Sequence, residues 1–146
     1  MKNIVNEPAI AYLKSTDWQI QSLDNVDLIA VSRNGISANQ LDALRVSTGL
    51  ENHHLARILQ VTTRTLQNKK GTDKISISVT EKALKLSRLY QNGYTTFGDK
   101  NNFKSWMRSP VLALNNQTPL SYLDTQFGFE LVEQVSWDNL TPRRAM

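Results

Sequence analysis

The sequence predicts an all-α protein, and three observations support this class. Apolar residues recur at helical spacing along most of the chain, and residues suited to helix N-termini precede several of these runs. Only one short segment, Ile75 to Val79, alternates apolar side chains with serines in the manner of a strand. A single strand of this length cannot make a sheet, so helices must supply the core.

Composition narrows the functional classes before any motif is considered. The chain has 146 residues, a formal net charge of +4 and no cysteine. This length excludes a long multidomain enzyme, and the missing cysteines exclude disulfides, thiolate zinc sites and cysteine nucleophiles. The longest strongly apolar run, Leu28 to Val31, is far shorter than the ~20 residues of a membrane span, and the first residues lack a signal-peptide core. We therefore expect a soluble, cytoplasmic protein.

Residues 1–34 are predicted to form an N-terminal arm. Pro8 suits the first turn of a short helix, and Trp18 is an anchoring aromatic in the irregular connection that follows. The apolar cluster between Asn25 and Arg33 is compatible with a short helix or a buried strand; we favour a helix that closes at Asn34-Gly35.

Two capping-box patterns predict helix starts further along the chain. Ser37 with Gln40 precedes a helix that Gly49 ends, with Leu41 and Leu44 as its buried stripe. Ser78 with Glu81 precedes what should be the longest helix. Its apolar side chains recur at helical spacing until Asn92-Gly93, where we expect it to stop.

The C-terminal part shows further helix boundaries. Asp99 can cap a helix that Ser109-Pro110 stops, and Thr118-Pro119 begins another. A last helix is predicted from the spacing of four apolar residues, namely Phe127, Leu131, Val132 and Val135.

The segment LARILQVTTRTLQNKK has the pattern of a helix-turn-helix. Leu55, Ala56 and Leu59 share one helical face, Val61 follows in the turn, and Leu66 points back from a second helix that Thr62 can cap. The small side chain of Ala56 lets the two helices approach closely.

Polar side chains remain on the outside of this second helix. Arg, Gln and Asn can make bidentate contacts with base edges in the major groove, whereas Lys is better suited to phosphates. The predicted DNA-binding residues are Thr63, Arg64, Gln67, Asn68, Lys69 and Lys70. The alternative is that they form a solvated helix face with no ligand. Gln60 in the turn, where glycine is common, and Lys69, where an apolar residue is common, lower the specificity of the pattern.

Charge is distributed unevenly between the middle and the end of the chain. Five basic residues and one acid lie between Arg57 and Lys74, whereas four acids and no Lys or Arg lie between Val111 and Pro142. The middle therefore favours polyanions, although solvated helix faces would explain either half.

The stretch FKSWMRSPVLALNNQTPLSYLDTQFG, from Phe103 to Gly128, carries the most specific pattern. It resembles the C-terminal domain of Xre/MbcA/ParS-type antitoxins, partners of NAD-consuming toxins with the RES fold. The resemblance extends from about Gly35 to Val135 and includes the Xre-type helix-turn-helix. The positions that match the pattern of the C-terminal domain are Trp106, Pro110, Ala113-Leu114, Pro119-Leu120, Leu123, Gly128 and Val132.

The resemblance implies an antitoxin that binds its toxin, covers the NAD-binding cleft and, alone or with the toxin, binds the promoter of its own operon. It also implies a homodimer. Because a pocket for the pyrophosphate of NAD is lined by cationic or amide donors, an acidic segment suits it. The candidate toxin-binding residues are Phe129, Glu130, Glu133, Trp137 and Asp138. Alternatively, these acids only keep one face soluble while Phe127, Leu131, Val132 and Val135 form core.

The predicted domains are the arm 1–34, a helix-turn-helix unit 35–77, and a connecting helix with the toxin-binding and dimerisation domain 78–146.

The sequence contains no motif of an enzyme active site. It has no nucleotide-binding Gly-rich loop and no nucleophile elbow, so we expect no catalytic activity. The only histidines, His53 and His54, are adjacent. On a helix they point ~100° apart, so we expect no shared metal ion. No cofactor is expected.

Two other functions fit the same features. One is a stand-alone transcriptional regulator whose C-terminal part dimerises or senses a ligand. The other is an adaptor that keeps a degenerate helix-turn-helix as scaffold, which Gln60 and Lys69 favour.

Overall fold

The computed structural model describes residues 23–140, and every regular element in that range is helical. The α-helices are α1 Asn25–Asn34, α2 Ala38–Thr48, α3 Asn52–Leu59, α4 Thr63–Asn68, α5 Ile77–Phe97, α6 Lys100–Met107 and α7 Gln126–Leu140. Two 3-10 turns, Leu112–Leu114 and Pro119–Tyr122, lie between α6 and α7. The all-α prediction is confirmed.

The chain divides into two compact units, one up to Arg88 and one from Leu89 onward, so α5 belongs partly to each. The predicted helix near Pro8 and the basic pair Arg143-Arg144 lie outside the described residues. Among the helices that are described, none is long and apolar enough to cross a membrane.

Local capping fixes the first two helices. Asp24 and Asp27 form a capping box at the start of α1, which confirms the helix over the strand alternative, and Gly35 follows its end with φ 80°. At α2, the Gln40 amide donates to Ser37 Oγ at 3.1 Å and the Ser37 amide donates to Gln40 Oε1 at 2.8 Å. This is the predicted capping box, and Gly49 ends α2 in the left-handed region as expected.

The start of α5 differs from the prediction. The helix begins at Ile77, and Ser76 Oγ accepts the Val79 amide at 3.3 Å while the Ser76 carbonyl accepts the Thr80 amide at 2.8 Å. Ser76 therefore caps α5, and the predicted box of Ser78 with Glu81 was wrong by two residues. The strand alternative for residues 75–79 also fails, because only an isolated bridge, Ser37 to Lys74, forms nearby.

The end of α5 was also predicted wrongly. The helix passes through Gly93 and stops at Phe97, before Gly98 with φ +74°. Gly93 is needed for close packing: a Cβ there would lie 2.3 Å from Cε1 of Phe103. The absent side chain makes room for a buried ring, and the helix continues past it.

The first unit has a helical core supported by one buried hydroxyl. Thr80 is fully buried, and its Oγ1 accepts the Ile36 amide and donates to the Ile75 carbonyl, each at 3.3 Å. The buried apolar residues of this unit include Val31, Ile36, Leu41, Leu44, Leu50, Leu55, Ile58, Leu59, Ile75, Ala83, Leu84 and Leu86.

An aromatic cluster forms the centre of the second unit. The fully buried Phe103 ring makes edge contacts with Tyr90, Tyr94 and Phe97 and stacks on Trp106, with centroid distances of 5.2 to 5.9 Å. Burial raises the pKa of Tyr94 to about 12 and shifts the pKa of Tyr90 upward further. Both phenols are thus held in their neutral form.

Residues 111–117 form a closed loop between α6 and α7. The Val111 amide donates to the Gln117 carbonyl at 3.0 Å, and Asn115 and Asn116 adopt positive φ at its turn. Tyr122 Oη donates to the Leu114 carbonyl at 2.8 Å, which ties the loop to the second 3-10 turn. Thr118 caps that turn as predicted.

Candidate functional site

The helices α3 and α4 form at the positions expected for the helix-turn-helix, and they pack against each other. Leu55, Ala56 and Leu59 of α3 are buried. Leu66 of α4 is half-buried, in keeping with its predicted position against α3. These are the residues that the sequence predicted for the contact between the two helices.

The turn between α3 and α4 uses a left-handed residue that is not glycine. Gln60 has φ 61° and ψ 43°, and the next amide, that of Val61, donates to the Ala56 carbonyl at 3.0 Å. The side-chain amide of Gln60 also donates to the Arg57 carbonyl at 2.7 Å. This bond offsets part of the backbone strain, so the turn closes without glycine.

The second helix of the pair presents a polar surface. Thr62 caps it, accepting the Thr65 amide at 3.0 Å. All six predicted DNA-binding residues are exposed and lie together on α4 and directly after it, namely Thr63, Arg64, Gln67, Asn68, Lys69 and Lys70. We call these six residues the α4 surface.

Backbone hydrogen bonds hold the segment after α4 against the start of α2. The Asn39 amide donates to the Gly71 carbonyl at 3.0 Å, and the Ala38 amide donates to the Asp73 carbonyl at 2.9 Å. An open groove of about 340 Å³ lies between these elements and includes Gln67, Lys69 and Lys70 in its lining. The two lysines are therefore positioned by fixed backbone rather than by a free tail.

The stretch from Phe103 to Gly128 is mostly scaffold. Phe103 and Met107 are fully buried, and Leu114 and Leu123 are nearly so. Gly128 permits a close approach, because a Cβ there would lie 2.0 Å from the Tyr122 carbonyl oxygen. Leu112 is the exception to the packing, since it is 85% exposed at the closed loop.

The helix α7 has apolar residues on both faces. Phe129, Val132 and Ser136 point inward and are buried. On the opposite side, Phe127 is 84% exposed and Trp137 is 64% exposed. The alternative that four apolar residues of the last helix form core is therefore right for Val132 and wrong for Phe127. Leu131 is 37% exposed and Val135 is half-buried.

The exposed side of α7, here called the α7 outer face, combines these apolar side chains with polar ones. At 100° per residue its members fall within an arc of roughly 120°. They are Phe127, Glu130, Leu131, Gln134, Trp137 and Asp138. The Gln126 side-chain amide donates to Glu130 Oε2 at 2.9 Å, which holds that carboxylate at the start of the helix.

The predicted toxin-binding residues separate into two groups on this helix. Glu130 and Trp137 are exposed on the α7 outer face, and Asp138 lies on the same side of the helix but is half-buried. Glu133 is half-buried beside this face, and Phe129 is only 6% exposed. Phe127 and Leu131, which the sequence analysis considered only as core, are exposed. Their i, i+4 spacing, out of phase with Phe129 and Val132, was the available signal.

The two histidines lie closer together than expected. Their ring centroids are 4.1 Å apart, and His53 Nδ1 and His54 Nδ1 lie 3.5 Å and 4.0 Å from Glu51 Oε1. The Cβ directions diverge around the helix, but rotation about the side-chain bonds brings both rings toward the N-terminal residue. Donor atoms of Glu51, His53 and His54 all lie within 4.8 Å of one another, although the two histidines are adjacent.

Residues 92–135 match the family model of the antitoxin Xre/MbcA/ParS C-terminal toxin-binding domain. This stretch is therefore similar to the toxin-binding domain of that antitoxin family. The match runs from the end of α5 into α7, and it ends before Trp137 and Asp138. It confirms the resemblance of the C-terminal segment, whose matching positions run from Trp106 to Val132.

No curated protein matches the chain.

Proposed function

We propose that this chain is the cytoplasmic antitoxin of a type II toxin-antitoxin system. It binds a RES-type, NAD-consuming toxin, blocks the NAD-binding cleft, and binds the promoter of its own operon alone or with the toxin. The observation that carries the proposal is an exposed apolar helix face, the α7 outer face, in a unit that matches a toxin-binding domain.

The α7 outer face has the chemistry of a protein interface. Phe127 and Trp137 are large aromatics, the residue class that contributes most to binding when a partner covers it. Glu130 and Asp138 lie among them, and the described part of α7 contains no Lys or Arg. A cleft that holds the pyrophosphate of NAD needs cationic or amide donors, so acids at its mouth would be attracted to it.

Co-expression with the product of the adjacent gene tests the toxin half of the proposal. The wild-type chain should restore growth and cellular NAD, whereas Phe127→Asp should restore neither, because it replaces the most exposed aromatic of the α7 outer face with a charge. Val46→Asp is the matched control, since Val46 is 62% exposed on α2 in the other unit. An adjacent gene product that is harmless alone, or that stays toxic with the wild-type chain, would contradict the proposal.

The α4 surface supports the DNA half of the proposal. Arg64 and Gln67 are exposed one turn apart, where both can reach base edges in one major groove. Lys69 and Lys70 follow on a segment fixed to α2 and suit phosphates. This arrangement combines base readout with backbone positioning within eight residues of sequence.

Operator binding tests this half separately. Arg64→Ala combined with Gln67→Ala should abolish specific promoter binding in a gel-shift assay while sparing toxin neutralisation. Arg33→Ala removes an exposed positive charge from α1 and serves as the control. Unchanged operator affinity in the double variant would remove the recognition role from α4, and promoter binding without any toxin partner would favour a stand-alone regulator.

We further propose a homodimer. A single α4 surface offers few phosphate contacts and would bind weakly at physiological salt. A two-fold dimer would bring two such surfaces to half-sites ~34 Å apart. Light scattering should give twice the chain mass, and footprinting should show a palindromic site; a monomer on a single half-site would contradict this arrangement.

A further inference from the structure

We propose that Glu51, His53 and His54 form a binding site for a divalent transition-metal ion of the zinc class. Their donor atoms, one from each side chain, all lie within 4.8 Å of one another at the start of α3. Two imidazoles and one carboxylate are a ligand set that Zn²⁺ accepts, with water completing the coordination.

The separations are close to those that a bound ion requires. Ligand bonds of about 2.1 Å at a tetrahedral angle place two ligand atoms roughly 3.4 Å apart. His53 Nδ1 lies 3.5 Å from Glu51 Oε1, and His54 Nδ1 lies 4.0 Å from the same atom. The donor atoms of the three side chains lie within 4.8 Å of one another, so the widest separation must shorten when an ion binds. His53 and Glu51, each about two-thirds exposed, can rotate toward His54, which is 28% exposed.

The surroundings set the expected strength of this site. Glu51 precedes α3, whose N-terminal end carries a partial positive charge and opposes a cation there. The Glu51 carboxylate offsets this field, and the neutral imidazoles supply the remaining bonds. With only three protein ligands, two of them on side chains about two-thirds exposed, the ion should exchange readily rather than remain as a permanent structural metal.

The composition of the chain makes the site unusually easy to test. His53 and His54 are its only histidines, and it contains no cysteine. In the untagged full-length protein, any metal binding that depends on imidazole must therefore come from these two residues. Isothermal titration with Zn²⁺ measures affinity and stoichiometry, and the visible absorption of added Co²⁺ reports the ligand type.

We expect one Zn²⁺ per chain and at least about a tenfold loss of affinity in His53→Gln and in His54→Gln. His53 is 65% exposed, so its variant should fold, which circular dichroism would verify. Glu81→Gln, an exposed carboxylate on α5, is the control and should bind as the wild type does. Wild-type binding no tighter than millimolar, or equal affinity in His53→Gln and wild type, would overturn the proposal.

Discussion

The role of Gly93 in the structure differs from the predicted one, because this glycine lies within α5 and packs against Phe103. Replacing a helical glycine by alanine ordinarily stabilises a protein by about 0.5–1 kcal/mol. Here the added Cβ would meet the fully buried Phe103 ring at 2.3 Å, and the surrounding aromatics leave that ring no space to move. We predict that Gly93→Ala lowers the free energy of unfolding by about 1–3 kcal/mol, measured by urea denaturation.

The same change in a Phe103→Leu background provides the control. Leucine is smaller than phenylalanine, so the alanine methyl should cost much less there, and the two changes should be strongly non-additive. Equal costs of Gly93→Ala in both backgrounds would show that ring packing is not the reason for this glycine.

Gln60 carries the backbone strain of the α3–α4 turn. Its left-handed conformation favours glycine and strongly disfavours a β-branched residue. Gln60→Gly should change stability by less than about 1 kcal/mol, since relief of strain offsets the lost hydrogen bond to Arg57, and Gln60→Val should destabilise by about 1–3 kcal/mol. Thermal unfolding of both variants checks the order; a more stable valine variant would contradict the observed turn.

The contribution of Tyr94 to the free energy of unfolding should depend on pH. Burial raises its pKa to about 12, from an ordinary value of 10.0. Because the folded state holds this proton more tightly, the contribution of Tyr94 to stability is complete below pH ~10 and is lost as pH rises toward 12. Tyr94→Phe should therefore show a shallower loss of unfolding free energy over that range than the wild type does. Parallel curves would show that Tyr94 does not contribute.

At the scale of helices, predictions succeeded where the determining contacts were local. The capping box at α2 and the cap of α6 by Asp99 need only residues within one turn, so both could be predicted from the sequence. The end of α5 depended on Phe103, ten residues beyond Gly93, and glycine alone does not distinguish a helix stop from a packing contact.

The sequence did not determine which face of α7 is buried. Apolar residues occur on both sides of this helix, so spacing alone could not say which side is core. Phe129, predicted as a contact, packs inward, and Phe127, considered as core, is exposed. A helical wheel anchored on Gly128 and Val132 would have sorted them, but only once the inward side was known.

The α4 surface yields a prediction about salt. Lys69 and Lys70 should contact phosphates, so Lys70→Ala should weaken binding to all DNA sequences alike and reduce the slope of log K against log salt by about 1. Arg64→Ala should instead reduce discrimination between operator and mutated sites. Fluorescence anisotropy across a salt series separates the two effects. A change of sequence preference in Lys70→Ala would contradict this division.

For the whole molecule, the two proposed activities belong to different compact units. The α4 surface lies in the unit that ends at Arg88, and the matched toxin-binding domain begins at residue 92 in the other. The charge asymmetry of the sequence follows the same division, with basic residues around α4 and acids along α7. Variants in one surface should therefore leave the other activity intact.

The proposed role of the α7 outer face is tested most directly by the affinity of the purified full-length chain for its purified toxin. Titration calorimetry should show tight binding by the wild type and by Arg64→Ala with Gln67→Ala. Phe127→Asp with Leu131→Asp should lose at least about 100-fold in affinity, equivalent to ~2.7 kcal/mol. If Phe127→Asp with Leu131→Asp folds, as verified by circular dichroism, and binds the toxin as tightly as the wild type does, the assignment of the α7 outer face is contradicted.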